Sequence, residues 1–329
     1  MNPLEEFLAN NRSCASSWRA NLSSAVGGPS TSLSRLATRL IWPQRSKHMR
    51  YLAPGISIQI ESNHRFTICR NGNPLVECMS LAELVPAMQT PVSIVATGPT
   101  ALDYPWDQVR NGERFLIAVN GAPTMLKDLG LAPDLLVVTD REFALTGTRH
   151  FESVPNAPLV IEFLAATALA STAPQLLLNR PVAIIERVNM WYGLPSIDLQ
   201  DLLRMNEASD KPFAFPDAVD PACRVGWSHR PELGIFSGRT VVFGALQIAI
   251  GLGATDVEII GMDLSGAGRA YSEGPGKRPT QLQEHYQSFI LPSFQTMRRA
   301  LAGRGVVVTN RSPVCPLPPE IFADLSQAS

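Results

Sequence analysis

VSIVATGPT, residues 92–100, decides the fold: a five-residue apolar run, VSIVA, ends at a Thr-Gly-Pro-Thr turn. Six more runs of that kind follow, separated by helix-length stretches: FLIAVN (115–120), DLLVVTD (134–140), LVIEFLA (159–165), VAIIER (182–187), VEIIGMD (257–263) and VVVTN (306–310). A strand reads as a continuous apolar run, rather than an alternating one, when both faces of its sheet are covered. Alternation of such runs with helices predicts an α/β fold built on a mainly parallel sheet. TVVFGALQIAIGLG (240–253) is apolar nearly all round, so it is expected as a helix packed between the sheet and other elements.

Outward from this block the pattern changes. ISIQIES and HRFTICR alternate, and Asn71-Gly72 ahead of PLVEC is the dipeptide best suited to a tight hairpin, so 55–79 is predicted to be a small β-hairpin or meander. Residues 9–35 are rich in Ser, Asn, Ala and Gly. The predicted organisation is a basic, partly flexible N-terminal segment with an amphipathic helix (1–54), a small β-hairpin region (55–88), a Rossmann-like domain (89–315) and a C-terminal tail (316–329). The 329 residues suffice for a full core, and 28 basic against 29 acidic side chains give a net charge of −1 that disfavours a general nucleic-acid binder.

Charge is uneven, however. Residues 1–50 hold seven Lys/Arg against Glu5 and Glu6, a net of +5, which leaves −6 for the rest. Leu33, Leu36, Ala37 and Leu40 share one helical face, with Arg35 and Arg39 elsewhere. That pattern fits a helix on an anionic membrane surface or an ordinary packing helix. Five widely spaced cysteines without a C-x-x-C pair speak against a disulfide framework or a zinc site. No apolar run is long enough to span a bilayer and the start lacks a signal-like core, so the expected location is cytoplasmic, with peripheral attachment to the inner membrane face as an addition.

In a parallel sheet of this type ligands bind past the carboxyl ends of the strands. The residues there are Gly98, Pro99 and Thr100 after the first run, Asn120 after the second, Asp140 and Arg141 after the third, and Asp263 after the sixth. A Gly-Pro turn offers backbone N–H groups to a phosphate or nucleotide, or is a plain turn. Asn120 can read a base or ribose edge, since its amide both donates and accepts. Asp140 suits a hydroxyl or Arg141, and Arg141 itself suits a surface ion pair as well as a ligand. FSGRT (236–240) opens the apolar helix, so Ser237, Gly238 and Thr240 lie where an anion is favoured or where Ser and Thr merely cap. SGAGRAYSEGPGKRPT (265–280) is a glycine-rich loop, readable as a lid or as ordinary surface. Trp191-Tyr192 after the fifth run is core or rim, with stacking on an acceptor as the alternative.

Four blocks in order, ATGPT with its strand, the strand ending at Asn120, SGRTVVFGALQIAIGLGATDVEIIGMD, and EHYQ with VVVTNRSP, resemble the bacterial sialyltransferase-like glycosyltransferases, with the related lipopolysaccharide-core Kdo transferases and the flagellin-glycosylation family. The resemblance covers roughly residues 90–315 and implies a GT-A-like variant of the Rossmann-like fold and a CMP-sugar donor. It implies that His285 is the general base and Tyr286 its neighbour, that Gly98, Pro99, Thr100 and Asn120 surround the nucleotide, and that Ser237 and Gly238 lie near the CMP group. Thr100 stands where the family commonly has serine, and Asp140 where a sialyltransferase has an amide. The stretch from Ser237 to the end of the apolar helix is longer than in sialyltransferases. Phosphate charge would be met by Tyr286, Tyr271, the helix start, or a cation from Arg269, Lys277 and Arg278.

No D-x-D triplet occurs, which points away from a metal-bridged diphosphate donor, and no cofactor or metal is expected. The expected function is therefore a metal-independent, inverting transfer of Kdo or sialic acid from its CMP ester to a lipopolysaccharide or other surface-glycan acceptor. The rivals are a 6-hydroxymethylpterin diphosphokinase-like enzyme using ATP and Mg²⁺, and a non-catalytic nucleotide-binding protein of polysaccharide assembly.

Overall fold

The structure, a computed structural model, describes residues 3–12, 44–61, 64–86, 88, 91–264, 268–271 and 281–322. The amphipathic stretch 33–42 and most of the loop 265–280, with Lys277 and Arg278, lie outside the described residues.

Strands β1 (Ile56–Ile60), β2 (Phe66–Arg70) and β3 (Asn73–Cys78) form an antiparallel meander, with Asn71-Gly72 at its second turn. Asn71 sits at φ +50 and Gly72 at φ +82, the left-handed pair that such a two-residue turn demands. The seven apolar runs become β4 (Val92–Val95), β5 (Phe115–Val119), β6 (Leu135–Val138), β7 (Leu159–Glu162), β8 (Val182–Ile185), β11 (Asp256–Ile260) and β12 (Val307–Asn310). A short antiparallel pair, β9 (Phe213–Ala214) and β10 (Trp227–Ser228), lies between them in sequence. The seven pair in the order β12-β11-β4-β5-β6-β7-β8, all in parallel, so the Rossmann-like α/β expectation holds and the chain changes direction between β4 and β11.

Side chains alternate across this sheet into two separate cores. Ile94, Ile117, Val119, Leu135, Val137 and Ile259 enter one, together with the helix Val241–Gly251 and Phe294 and Met297 of the helix Leu291–Leu301. Val95, Leu116, Ala118, Leu136, Val138 and Ile260 enter the other, with the helix Phe163–Thr172 and the meander. Period-two exit to opposite faces, apolar on both, is why these strands read as unbroken runs.

One run is longer than its strand. LVIEFLA divides at Glu162, whose carboxylate accepts from the Leu164 and Ala165 amides at 3.0 and 3.3 Å and so starts a helix where the run continues apolar. Both ends of the described chain also join the core. Residues 3–12 are helical, with Leu4 and Leu8 buried, and Leu317 and Ile321 near the other end are buried too.

Candidate functional site

The carboxyl ends of the seven strands form a row, and with neighbouring strands ~4.8 Å apart the six ends from β11 to β8 span roughly 24 Å. At the change of direction β11 and β4 are fastened to each other. Gly98 N–H donates to the Gly261 carbonyl at 2.8 Å, and the buried Asp263 carboxylate accepts from the Thr100 amide at 3.0 Å and from the Thr100 hydroxyl. A Cβ on Gly98 would stand 2.5 Å from both Asp263 Oδ2 and Gly261 O, so only glycine fits there. Pro99 begins the 3₁₀ turn Pro99–Asp103. Asp263, expected at the nucleotide, is thus occupied as a clamp between the two halves of the sheet.

One strand along, Asn120 is left-handed at φ +46, and its side-chain Oδ1 is buried without a hydrogen bond from any of the described residues. A buried acceptor left in that state costs about 1–3 kcal/mol, so Asn120 is better suited to a donor on a ligand than to the protein interior. Residues 268–271 cross over this corner. Arg269 donates to Thr97 Oγ1 at 2.9 Å, and the Ala270 amide donates to the Thr97 carbonyl at 2.8 Å. Tyr271 lies on Gly121, packs on His150 at 4.7 Å between ring centroids and carries Arg149 over its ring at 5.6 Å. His150, bonded to Thr124 Oγ1 at 2.6 Å, is pushed down to about 4 by burial and by the charges of Arg149 and Arg269.

At the end of β6, Asp140 caps the helix Arg141–Thr146 by accepting from the Glu142 amide at 2.8 Å. Arg141 donates to the Tyr51 carbonyl at 2.9 Å and pairs with Glu142 at 2.8 Å. Both are engaged structurally.

Beyond β6 the edge turns cationic. Arg187, just past β8, reaches over β7 to donate to the Thr139 carbonyl at 2.8 Å, and its Nε lies 3.9 Å from the fully buried Glu162. Burial holds the Glu162 carboxyl above its ordinary value, against the charge of Arg187. Ile235 exchanges backbone bonds with this segment (Ile235 N–H to Glu186 O, 2.9 Å; Val188 N–H to Ile235 O, 3.0 Å), and that pairing delivers Ser237, Gly238 and Thr240 beside Arg187. Gly238 and Arg239 are both left-handed, at φ +48 and +57. Thr240 occupies the N-cap of the helix Val241–Gly251 without a side-chain cap bond, and no acid lies in the first turn.

His285 ends the short helix Leu282–His285, and a π-turn, Tyr286–Ile290, follows. His285 meets the Phe289 ring edge-on at 5.5 Å, while Arg224 and Arg239 lie over the same ring at 4.3 and 5.4 Å. Burial first, then the Arg239 and Arg224 charges, hold His285 below its ordinary value of 6.5, with Glu284 opposing. Tyr286 points elsewhere, its hydroxyl donating to the Pro316 carbonyl at 2.6 Å.

The structure therefore brings His285 to the Ser237–Thr240 turn through Arg239 and the Phe289 ring, and gathers Gly98, Thr100, Asn120, Asp263, Arg269 and Tyr271 around the ends of β11, β4 and β5. Sequence reading missed Arg187, Arg224, Arg239 and Glu162. The available signals were an arginine immediately past a strand in VAIIER and one between Gly238 and an acid-free apolar helix. Trp191 and Tyr192 are no acceptor platform: they are 1% and 3% exposed, with Trp191 Nε1 donating to Leu233 O at 2.8 Å. Among the described residues no group of three or more His, Cys, Asp or Glu side chains gathers to hold a metal, and no helix is long and apolar enough to cross a membrane.

No protein-family model and no curated protein matches the chain. Among solved structures it is similar in fold to the MAf glycosyltransferase of Magnetospirillum magneticum AMB-1, at 17% identity and a TM-score of 0.42, covering 70% of this chain and 33% of that one. It is also similar to the sialyltransferase CstII of Campylobacter jejuni, solved in complex with the substrate analogue CMP-3FNeuAc, at 10% identity and a TM-score of 0.37, covering 72% of this chain and 89% of that one. The chain spans about a third of the length of the Magnetospirillum protein.

Proposed function

We propose that the chain is a glycosyltransferase that moves an acidic keto-sugar, Kdo or sialic acid, from its CMP ester to a glycan acceptor, with inversion and without a metal. The observation that carries this reading is the meeting of a histidine and two guanidinium groups on the Phe289 ring, beside the uncapped start of the helix Val241–Gly251. Burial and the Arg239 and Arg224 charges lower the His285 pKa, which favours its neutral, proton-accepting form. In the reaction the acceptor hydroxyl gives its proton to His285 and its oxygen bonds to the anomeric carbon. The bond from that carbon to the phosphate oxygen breaks, and its electron pair leaves with CMP. A positioned base typically contributes about 10²- to 10⁴-fold. The basic segment 1–50 favours a lipid-linked acceptor, hence lipopolysaccharide-core synthesis and peripheral binding at the inner membrane face.

The test is calorimetry and thermal shift with CMP, CDP, UDP, GDP and ATP, each with and without Mg²⁺, followed by transfer assays from CMP-Kdo and CMP-sialic acid. A ligand at 100 times its Kd adds about 2.7 kcal/mol of stability. Selective, metal-free CMP binding is the expected result. Preference for ATP with Mg²⁺ would replace this reading by the diphosphokinase, and CMP binding without turnover by the non-catalytic protein. His285→Ala should bind CMP normally and lose at least tenfold in transfer; retention of more than a tenth would remove His285 as base.

A further inference from the structure

The charges around Phe289 do not balance. Arg224 is paired, since Asp220 accepts its Nε at 2.7 Å and its Nη2 at 2.9 Å. That carboxylate also accepts the Ala222 and Arg224 amides, at 3.1 and 3.0 Å, and is filled. Arg187 is engaged by the Thr139 carbonyl and lies near Glu162. The Arg239 guanidinium makes no hydrogen bond or ion pair among the described residues, and it stands in the field of both Arg224 and Arg187, which Asp220 opposes only in part. An exposed arginine is ordinarily free to turn away from like charges. Here it lies 5.4 Å over the Phe289 ring, with its backbone in the left-handed region. A planar fork of donors so placed matches a carboxylate or a phosphate.

We infer that Arg239 is the receptor for an oxyanion, carboxylate or phosphate, seated beside His285, with the uncapped first turn of the helix Val241–Gly251 as its other wall. That this oxyanion belongs to a sugar donor rests on the glycosyltransferase reading; the receptor itself does not. In a CMP-linked keto-sugar the carboxylate and the phosphate are bonded to the same anomeric carbon. Either one, held by Arg239, places that carbon next to the base.

The experiment follows the His285 ring proton by NMR through a pH titration of the full chain. The charged groups that bear on that imidazole are Arg239, Arg224 and Glu284. The wild type, Arg239→Gln and Arg239→Lys are titrated alone and with inorganic phosphate, free sialic acid, CMP or cytidine. The His285 pKa should rise in Arg239→Gln, and it should rise in the wild type when an anion binds. Arg239→Gln should lose at least tenfold in affinity for the effective anions, Arg239→Lys less, and uncharged cytidine should bind both alike. A response to phosphate and CMP but not to sialic acid assigns the receptor to the phosphate, and the converse assigns it to the sugar acid. If no anion moves His285 in the wild type, or if Arg239→Gln binds anions as the wild type does, the receptor is refuted. Arg239→Gly relieves the backbone and should unfold at no lower urea concentration than the wild type, so its own loss of anion binding is not a folding defect. Anion binding that depends on Arg239, without transfer from either CMP-sugar, would overturn the glycosyltransferase reading and leave the receptor standing.

Discussion

Gly98→Ala should be among the most damaging single-methyl substitutions in this chain, and the reason is space alone. Gly98 has φ −66 and ψ 147, which alanine adopts without penalty. The new Cβ, however, would lie 2.5 Å from Asp263 Oδ2 and 2.5 Å from the Gly261 carbonyl oxygen. An ordinary contact needs about 3.5 Å, so some partner must retreat by about 1 Å. Gly261 cannot do so cheaply: it is itself left-handed at φ +71, and a Cβ placed there would stand 2.8 Å from Ala101. Asp263 must then swing away from Thr100, which forfeits a charge-assisted hydrogen bond of about 1.5–3 kcal/mol. Overpacking adds about 1–3 kcal/mol, for a total of about 2.5–6 kcal/mol. Urea unfolding with an unchanged m-value measures this. In an Asp263→Ala background, where the carboxylate is gone, the same substitution should cost at least about 1 kcal/mol less. A Gly98→Ala loss below about 1 kcal/mol, or strict additivity with Asp263→Ala, would refute the clamp.

Gly121→Ala is the contrasting case: its Cβ would meet the far end of the Tyr271 ring at 2.5 Å, and a side-chain end can move. It should cost less than about 1 kcal/mol yet shift the NMR signal of His150, which packs on Tyr271; an unshifted signal would place Tyr271 elsewhere in solution. His150 is neutral in the fold with a pKa of about 4 against 6.5 unfolded, so its contribution is complete above pH 6.5 and is lost as pH falls towards 4. The loss is on the order of 3 kcal/mol, and His150→Gln should flatten the acid limb of urea stability; an unchanged limb would contradict the shift. Glu162 has the opposite sign, a raised acid whose burial costs more as pH rises above its unfolded value. Glu162→Gln should therefore gain stability relative to the wild type as pH rises above 4.5, and a loss that grows with pH there would refute this.

The strands were legible because both faces of the sheet are apolar, and the meander because Asn71-Gly72 marks its turn. LVIEFLA misled by one element because Glu162, a charge inside an apolar run, both ends β7 and caps the helix that follows. The site was half legible. Glycine and polar residues at strand ends could be located by counting, whereas the roles of Asp263 and Asp140 as clamp and cap depend on which backbone amide lies opposite. The arginines escaped because their convergence requires Ile235 to pair with Val188, some fifty residues earlier, and because an arginine in isolation reads as solvated surface. Arg239 acquires its meaning only from Phe289, a residue that sequence alone gives no reason to place there.

Helix 3–12 has a consequence for synthesis. Its partners lie far downstream: Arg12 pairs with Glu186, Phe7 packs on Trp191, the Leu4 amide donates to Ser209, and Glu5 pairs with Arg230. At about 5–20 residues per second, some ten to forty seconds separate the making of this helix from the appearance of its last partner on the ribosome. Until the first of these partners is made, the helix has none of these native contacts for its buried Leu4 and Leu8 face. This helix is therefore seated only after much of the sheet that follows it has been made, so chaperones acting on nascent chains have a defined apolar face to meet while the sheet assembles behind it.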